Sequence, residues 1–220
     1  METMLRQGME HARSRSEKAA WFNAYRDTVL TPEGVRWLKG VWSRDEKVEG
    51  LPLSETDEIS MAEALAIREP ETAQQILETQ RGRIQDPDRK ARFEFVMPAL
   101  SADAGVRKAA FERLSKLENR RQESWVLESL LYLHHPLRDA EARKLLGPSL
   151  ALLGEVQATG DIFFPRNWAD IVLAYKRTPE EAAIVREYLA RETKLPQRLR
   201  WIVLAAADNL MRASGATTGQ

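Results

Sequence analysis

The chain has 220 residues, of which 43% are hydrophobic and 30% are charged, and its 33 basic side chains balance its 33 acidic ones. This composition suits a globular protein with a substantial core and excludes wholesale disorder. Both charge signs are interspersed along the chain. A nucleic-acid binder would concentrate positive charge on one face or segment, so we expect no nucleic-acid partner.

Cysteine is absent, which excludes disulfides and thiolate metal sites but does not identify a cellular compartment. Residues 1–20 carry charged side chains throughout and lack the apolar centre of a signal peptide. No apolar run is long enough to span a bilayer. We therefore expect a soluble chain with no signal peptide, no transmembrane segment and no membrane partner.

The N-terminal part of the chain shows helical periodicity. Residues 12–30 place four apolar side chains at the spacing of one helix face, namely Trp21, Phe22, Tyr25 and Val29. Thr31 and Pro32 then predict a helix start, with an N-cap residue followed by proline at the first helical position. The polar segment 43–54 is punctuated by glycine and proline and is predicted to be an internal hinge.

Helix start signals recur at regular intervals further along. They are Ser54, Asp86-Pro87, Ser101, the pair Asn119 and Gln122 as a capping box, and Thr178-Pro179 with Glu181. The final helix is predicted over residues 196–211, followed by a disordered tail at 214–220. The only short apolar run that resembles a strand ends at Pro165, so no strand is predicted.

These signals predict an all-α fold of about ten to eleven helices in a single domain, residues 1–213. Short connections between amphipathic helices favour stacked antiparallel hairpins. The sequence has no repeat of fixed period, so an irregular HEAT-like superhelical arc is favoured over a strict repeat array. A compact helical bundle is the competing architecture.

The candidate metal ligands are the histidines His11, His134 and His135. Adjacent helical residues point about 100° apart, so His134 and His135 cannot hold one zinc ion from a regular helix. Pro136 directly after them indicates a helix C-terminus, where a histidine can meet free carbonyls. The chain also has no H-E-x-x-H motif and no G-x-S-x-G motif. The sequence therefore predicts no metal ligand and no catalytic residue.

Five residues are candidates for an interface or for peptide contact: Arg120, Arg121, Phe163, Phe164 and Trp168. The two arginines precede a predicted helix, where they either anchor a carboxylate through paired hydrogen bonds or remain solvated. The three aromatic residues lie at a loop-to-helix junction. There they either pack on the core beneath the loop or project into an interface. The chain's tryptophans, at helix-face spacings, are otherwise expected in the core.

Several segments resemble the C-terminal helical region of the aminopeptidase N family, zinc peptidases of the gluzincin type. The segments are residues 21–34, 86–93, 96–101, 120–125, 134–138 and 160–168, and the stretch from Arg120 to Trp168 is the most specific. The resemblance covers nearly the whole chain. None of these segments is a catalytic signature, so the resemblance is to a structural region.

The resemblance implies a HEAT-like helical arc packed against a thermolysin-like catalytic domain of the same polypeptide. Such a domain closes over the active-site cleft and limits which peptide substrates enter. Zinc would belong to that catalytic domain, so no cofactor is expected in this chain. The alternatives are a free-standing helical scaffold that binds a protein or peptide, and an enzyme of another kind with its own pocket.

Overall fold

The computed structural model describes residues 1–217, which are mostly helical. Fourteen α-helices and two short 3-10 helices lie in these residues, which contain no strand. The all-α prediction is confirmed, whereas the predicted number of ten to eleven helices is too low. Within the same range, no helix has the length and apolar character needed to cross a membrane.

The chain divides into two compact units, and the single domain predicted over residues 1–213 stays a prediction. The first comprises Met1–Glu94 with Leu100–Ala102, and the second comprises Phe95–Ala99 with the residues from Asp103 onward. The helices of the first unit are α1 (Glu2–His11), α2 (Arg15–Thr28), α3 (Pro32–Ser43), α4 (Glu55–Arg68), α5 (Ala73–Arg83) and most of α6 (Pro87–Leu100).

Capping residues explain where the helices of the first unit begin. The Thr31 side chain accepts a hydrogen bond from the backbone N–H of Gly34 at the start of α3. Ser54 and Asp57 form a reciprocal capping box at α4. Asp86 accepts the backbone N–H of Arg89 at the start of α6. These three predicted starts are confirmed.

The predicted hinge at 43–54 is a connection inside the first unit, tied down at several points. Arg44 ends α3 in the left-handed region with φ 73°. Its guanidinium donates two hydrogen bonds to Glu58, 2.9 and 3.0 Å long. The Lys18 ammonium donates to the Glu49 carbonyl at 2.8 Å. The change from one unit to the other falls instead within and just after α6.

The second unit contains eight helices within the described residues. They are α7 (Ala104–Leu114), α8 (Glu123–Leu133), α9 (Asp139–Ala151), α10 (Leu153–Thr159), α11 (Phe164–Leu173), α12 (Pro179–Arg191), α13 (Gln197–Ala206) and α14 (Asp208–Thr217). Helix α11 contacts α8, α9, α10 and α13, and therefore occupies the centre of this unit. Its side chains form the middle of the hydrophobic core.

Two predicted helix starts in the second unit are displaced. The capping box predicted at Asn119 is wrong, because α8 begins after Gln122 and has no side-chain cap. Asn119 lies in a 3-10 helix and its amide donates to the Arg113 carbonyl. Helix α7 is capped by Asp103 rather than Ser101. The capping box of Thr178 and Glu181 at α12 is confirmed.

The helix number was underestimated at both ends of the chain. The prediction missed α1, a ten-residue helix that buries only Leu5 and Met9. The C-terminal helix was predicted as one but is interrupted at Ala207. The tail predicted to be disordered from residue 214 continues α14 as far as Thr217, and the remaining three positions lie outside the described residues.

Candidate functional site

Arg120 is a buried structural residue of the second unit, with 4% of its surface exposed. One guanidinium nitrogen donates to the carbonyls of Leu114 and Ser115, 3.1 and 2.7 Å away. Another nitrogen donates to the Glu155 carboxylate. Arg120 therefore joins the end of α7 to α10. Arg121 is exposed and has no hydrogen-bond or ion-pair partner among the described residues.

Phe164 and Trp168 lie on the inner face of α11. Both are buried, and their rings pack edge to face with centroids 5.9 Å apart. The Trp168 indole N–H donates to the Ser149 carbonyl at 2.9 Å, which joins α11 to α9. Gly160 permits the turn before α11, because a Cβ atom there would lie 2.9 Å from the Val156 carbonyl and would clash with Phe164.

A cluster of polar side chains, most of them buried, lies next to this inner face. The ring of His134 contacts the Ser149 hydroxyl at 2.9 Å. Burial and the positive charge of Lys176 lower the pKa of His134 to about 3, so the imidazole is neutral at physiological pH. Lys176 lies 3.5 Å from the Glu181 carboxylate and 3.7 Å from Asp139. These side chains connect α8, α9 and α12, and Lys176 lies just after α11.

The three histidines that the sequence offers as metal ligands each have other contacts. Residues 1–217 contain no group of three histidine or carboxylate side chains placed to hold a metal ion. The His134 ring is hydrogen-bonded to the Ser149 hydroxyl. His135 accepts a hydrogen bond from the backbone N–H of Leu137 at the start of a 3-10 helix. His11 contacts the Gln7 carbonyl within α1. We therefore derive no chemical step from zinc in this chain.

Phe163 belongs to a different surface from its two aromatic neighbours. It is 63% exposed, and Ile162 beside it is 57% exposed. On the adjacent α13, Trp201 is 62% exposed and Leu204 is 44% exposed. We call these four residues, with the flanking Arg166 and Arg198, the α11–α13 surface. Arg166, Arg198 and Trp201 line one shallow groove, and Arg198 also donates to the Ile162 carbonyl.

Sequence reasoning missed Trp201, Leu204, Arg166 and Arg198 as parts of this surface. Helical spacing was available as a signal, since α13 buries Leu199 and Val203 on one side. Trp201 is exposed and lies on the other side, one turn after Arg198. The general expectation that tryptophan is buried obscured that pattern.

A groove of about 540 Å³ lies between α7, the end of α8 and α9. Its floor is apolar and its rim carries charges of both signs, the lining being Ala104, Arg107, Lys108, Phe111, Glu112, Leu133, Glu141, Lys144, Leu145 and Pro148. Arg107 and Glu141 form an ion pair 2.5 Å long across it. Pro148 has no N–H, so the Lys144 carbonyl lacks its usual helical donor here.

The structure thus separates the five predicted residues into a buried set and an exposed set. Arg120, Phe164 and Trp168 hold helices together, whereas Arg121 and Phe163 face solvent. A comparison with models of known protein families gives no match, and a comparison with curated proteins gives none either. The resemblance to the aminopeptidase N family is therefore a hypothesis for the chain, not an assignment.

Proposed function

We propose that the chain is the non-catalytic C-terminal helical domain of a zinc-dependent aminopeptidase. In this proposal its helices stack as hairpins in an irregular HEAT-like arc against a thermolysin-like catalytic domain of the same polypeptide. The arc covers the active-site cleft and shapes the access of peptide substrates. Zinc and the catalytic residues belong to the partner domain.

One observation carries the proposal: the segment of most specific resemblance supplies the buried framework of the second unit. Arg120, His134 and Trp168 all lie in this segment, and each makes buried polar contacts that join different helices. A resemblance based on framework residues fits a domain whose role is its shape. A resemblance to a catalytic region would instead involve polar groups that converge on an accessible cavity.

The mechanism of such a domain is indirect. A helical wall beside the zinc site holds the peptide near the metal, which raises the effective concentration of the scissile bond. Closing the cleft also excludes bulk water and strengthens the electrostatic interactions inside it. The wall contributes no acid, base or nucleophile. Changes in it alter which peptides react rather than the chemistry of the reaction.

The test is to sequence the gene around this segment and to assay the encoded enzyme. We expect an H-E-x-x-H motif in frame upstream and a zinc-dependent aminopeptidase activity. Deleting all 220 residues of this chain from the enzyme should change its preference among peptides of different length. The effect on cleavage of a small aminoacyl chromogenic substrate should be smaller. An uninterrupted gene with no upstream zinc motif would contradict the proposal.

The second candidate is a free-standing scaffold that binds a protein or peptide, and the α7–α9 groove favours it. Its apolar floor and mixed-charge rim suit an amphipathic segment of a partner. Replacing Phe111 at the floor of the groove should weaken the binding of such a partner. It should leave zinc-dependent peptidase activity unchanged. If the gene encodes no catalytic domain, this candidate replaces the first.

A further inference from the structure

Residues 45–49 have a left-handed residue at each end, and we call this segment the flap. Within residues 1–217, positive φ angles occur only at Arg44, with φ 73°, and at Gly50, with φ 72°. Both positions are fixed on their outer sides, since Arg44 pairs with Glu58 and Leu51 is buried. Residues at the ends of elements and in loops that absorb a change of φ and ψ act as hinges. The flap therefore lies between two anchored hinge positions.

Few contacts hold the flap against the rest of the first unit. Four of its five residues are exposed, and Val48 is half-buried. The backbone N–H groups of its first two residues both donate to the Gly40 carbonyl at 2.9 Å. The Lys18 ammonium donates to the Glu49 carbonyl at 2.8 Å. Segments with few buried apolar contacts and solvent-exposed hydrogen bonds open at a lower free energy than the whole fold.

Gly40 allows the flap to lie close to α3. A Cβ atom at position 40 would lie 2.6 Å from Cγ of Glu46, and its three nearest neighbours would all belong to Glu46. Alanine is more favourable than glycine inside a helix by about 1 kcal/mol. The glycine at this helical position is therefore explained by the closed flap and not by the helix itself.

The flap separates two grooves of the first unit. One groove, of about 490 Å³, contains Val41 and Leu51, and the other, of about 400 Å³, contains Met9 and Trp37. Residues 46–49 line both grooves. The flap is therefore the wall between them, and its removal joins them into one cleft with apolar sides.

We infer that the flap opens about Arg44 and Gly50 while the rest of the first unit stays folded. Opening breaks the two hydrogen bonds to the Gly40 carbonyl and the one from Lys18. It also joins the two grooves, so the flap controls access to a cleft beside Trp37. The inference does not depend on the proposed function, because every contact in it lies outside residues 120–168.

Hydrogen exchange of the whole chain, followed by NMR, tests the inference. The amides of Asp45 and Glu46 report opening of the flap, and the amide of Ala62, buried in α4, reports unfolding of the unit. Gly40→Ala places a methyl group against Glu46 and should accelerate exchange at Asp45 and Glu46 about tenfold, with no acceleration at Ala62. Adding Glu46→Ala should restore slow exchange at Asp45. Gly82→Ala in α5 is the matched control, since a Cβ atom there meets nothing within 4 Å.

A second variant removes the hydrogen bond at the other end of the flap. Lys18→Gln should accelerate exchange at Asp45 and Glu46 by about three- to tenfold, the effect of losing one hydrogen bond. Lys47→Gln, on the exposed part of the flap, is its control and should have no effect. Low concentrations of urea should leave exchange at Asp45 unchanged, because opening of the flap exposes little surface, and should accelerate exchange at Ala62.

The outcomes decide between local opening and unfolding of the unit. Acceleration confined to Asp45 and Glu46, in Gly40→Ala or in Lys18→Gln, supports the flap. Equal acceleration at Ala62, or the same urea dependence at Asp45 as at Ala62, shows that the unit unfolds as a whole and overturns the inference. Unchanged exchange in both variants also overturns it.

Discussion

The two sides of α11 use neighbouring aromatic residues in opposite ways. Phe164 and Trp168 face inward, where they pack on each other and on Ser149. Phe163, next in sequence to Phe164, occupies the cap position before the helix and is mostly exposed. Neighbouring aromatic residues at one helix start therefore have two different structural roles. The buried residues maintain the fold, and the exposed residue remains in contact with solvent.

The largest expected effect is at the centre of the inner side. Trp168→Ala should lower the free energy of unfolding by about 3–5 kcal/mol, because it leaves a large cavity and an unpaired Ser149 carbonyl. Trp201→Ala is the matched control on the outer side and should change it by less than about 0.5 kcal/mol. Urea unfolding followed by circular dichroism measures both. Equal losses would remove the distinction between the two sides.

Arg120→Ala tests the framework away from α11. The substitution leaves the carbonyls of Leu114 and Ser115 without their donor, and we expect a loss of about 2–3 kcal/mol. The Glu155 contact adds little, because that carboxylate is partly solvated. Arg121→Ala, one residue along the chain, should be neutral. An unchanged free energy of unfolding in Arg120→Ala would show that the hydrogen bonds from Arg120 to the Leu114 and Ser115 carbonyls do not stabilise the fold.

The neutral His134 gives the buried framework a pH dependence. Its pKa is about 3 in the folded chain and about 6.5 when unfolded, so below pH 6.5 only the unfolded state takes up the proton. Stability should therefore fall as the pH is lowered, by about 2 kcal/mol between pH 7 and pH 5. His134→Gln should abolish this difference, and His11→Gln should preserve it. If the free energy of unfolding of His134→Gln still fell by the same amount between pH 7 and pH 5, His134 would not be the source of the pH dependence.

A smaller effect is expected at the start of α12. Thr178→Ala removes one half of the capping box that positions Glu181 near Lys176, and should cost about 1 kcal/mol. Thr193→Ala, in the turn after α12, is the control. Thermal unfolding of the three proteins provides the comparison. A loss no larger than that of the control would show that the capping box is dispensable.

The smallest stability effect should come from the outer side. Phe163→Ser should change the free energy of unfolding of the chain by less than about 0.5 kcal/mol, since the ring already faces solvent. Phe164→Ser, one residue along, should lose several times more, because it exposes the core to a hydroxyl. A large loss in Phe163→Ser would mean that this ring supports the fold.

The sequence was sufficient for the parts of the fold that depend on local chemistry. Starts at Thr31, Asp86 and Thr178 were predicted because an N-cap residue followed by proline acts within one helical turn. The start of α8 was missed because Gln122 makes no side-chain cap. The helix break at Ala207 has no proline or glycine to mark it, so no local signal indicated that α13 ends there.

The candidate surface was only partly predictable, for a different reason. Phe163 and Phe164 are identical neighbours at the start of α11, and only the packing of that helix decides which one is buried. Arg198 and Ile162 are 36 positions apart in sequence and share a hydrogen bond because α11 and α13 are adjacent. Likewise, Arg120 is buried because the carbonyls at the end of α7 need a donor there. Long-range packing of this kind leaves no local pattern.

We propose that this chain is a helical domain that packs beside a zinc-dependent active site, and that the active site belongs to another domain. The most direct test of this claim is the zinc content and aminopeptidase activity of the purified chain, measured beside those of the complete gene product. We expect the complete protein to bind zinc and to cleave an aminoacyl chromogenic substrate, and the chain alone to do neither. Stoichiometric zinc and turnover by the chain alone would contradict the claim.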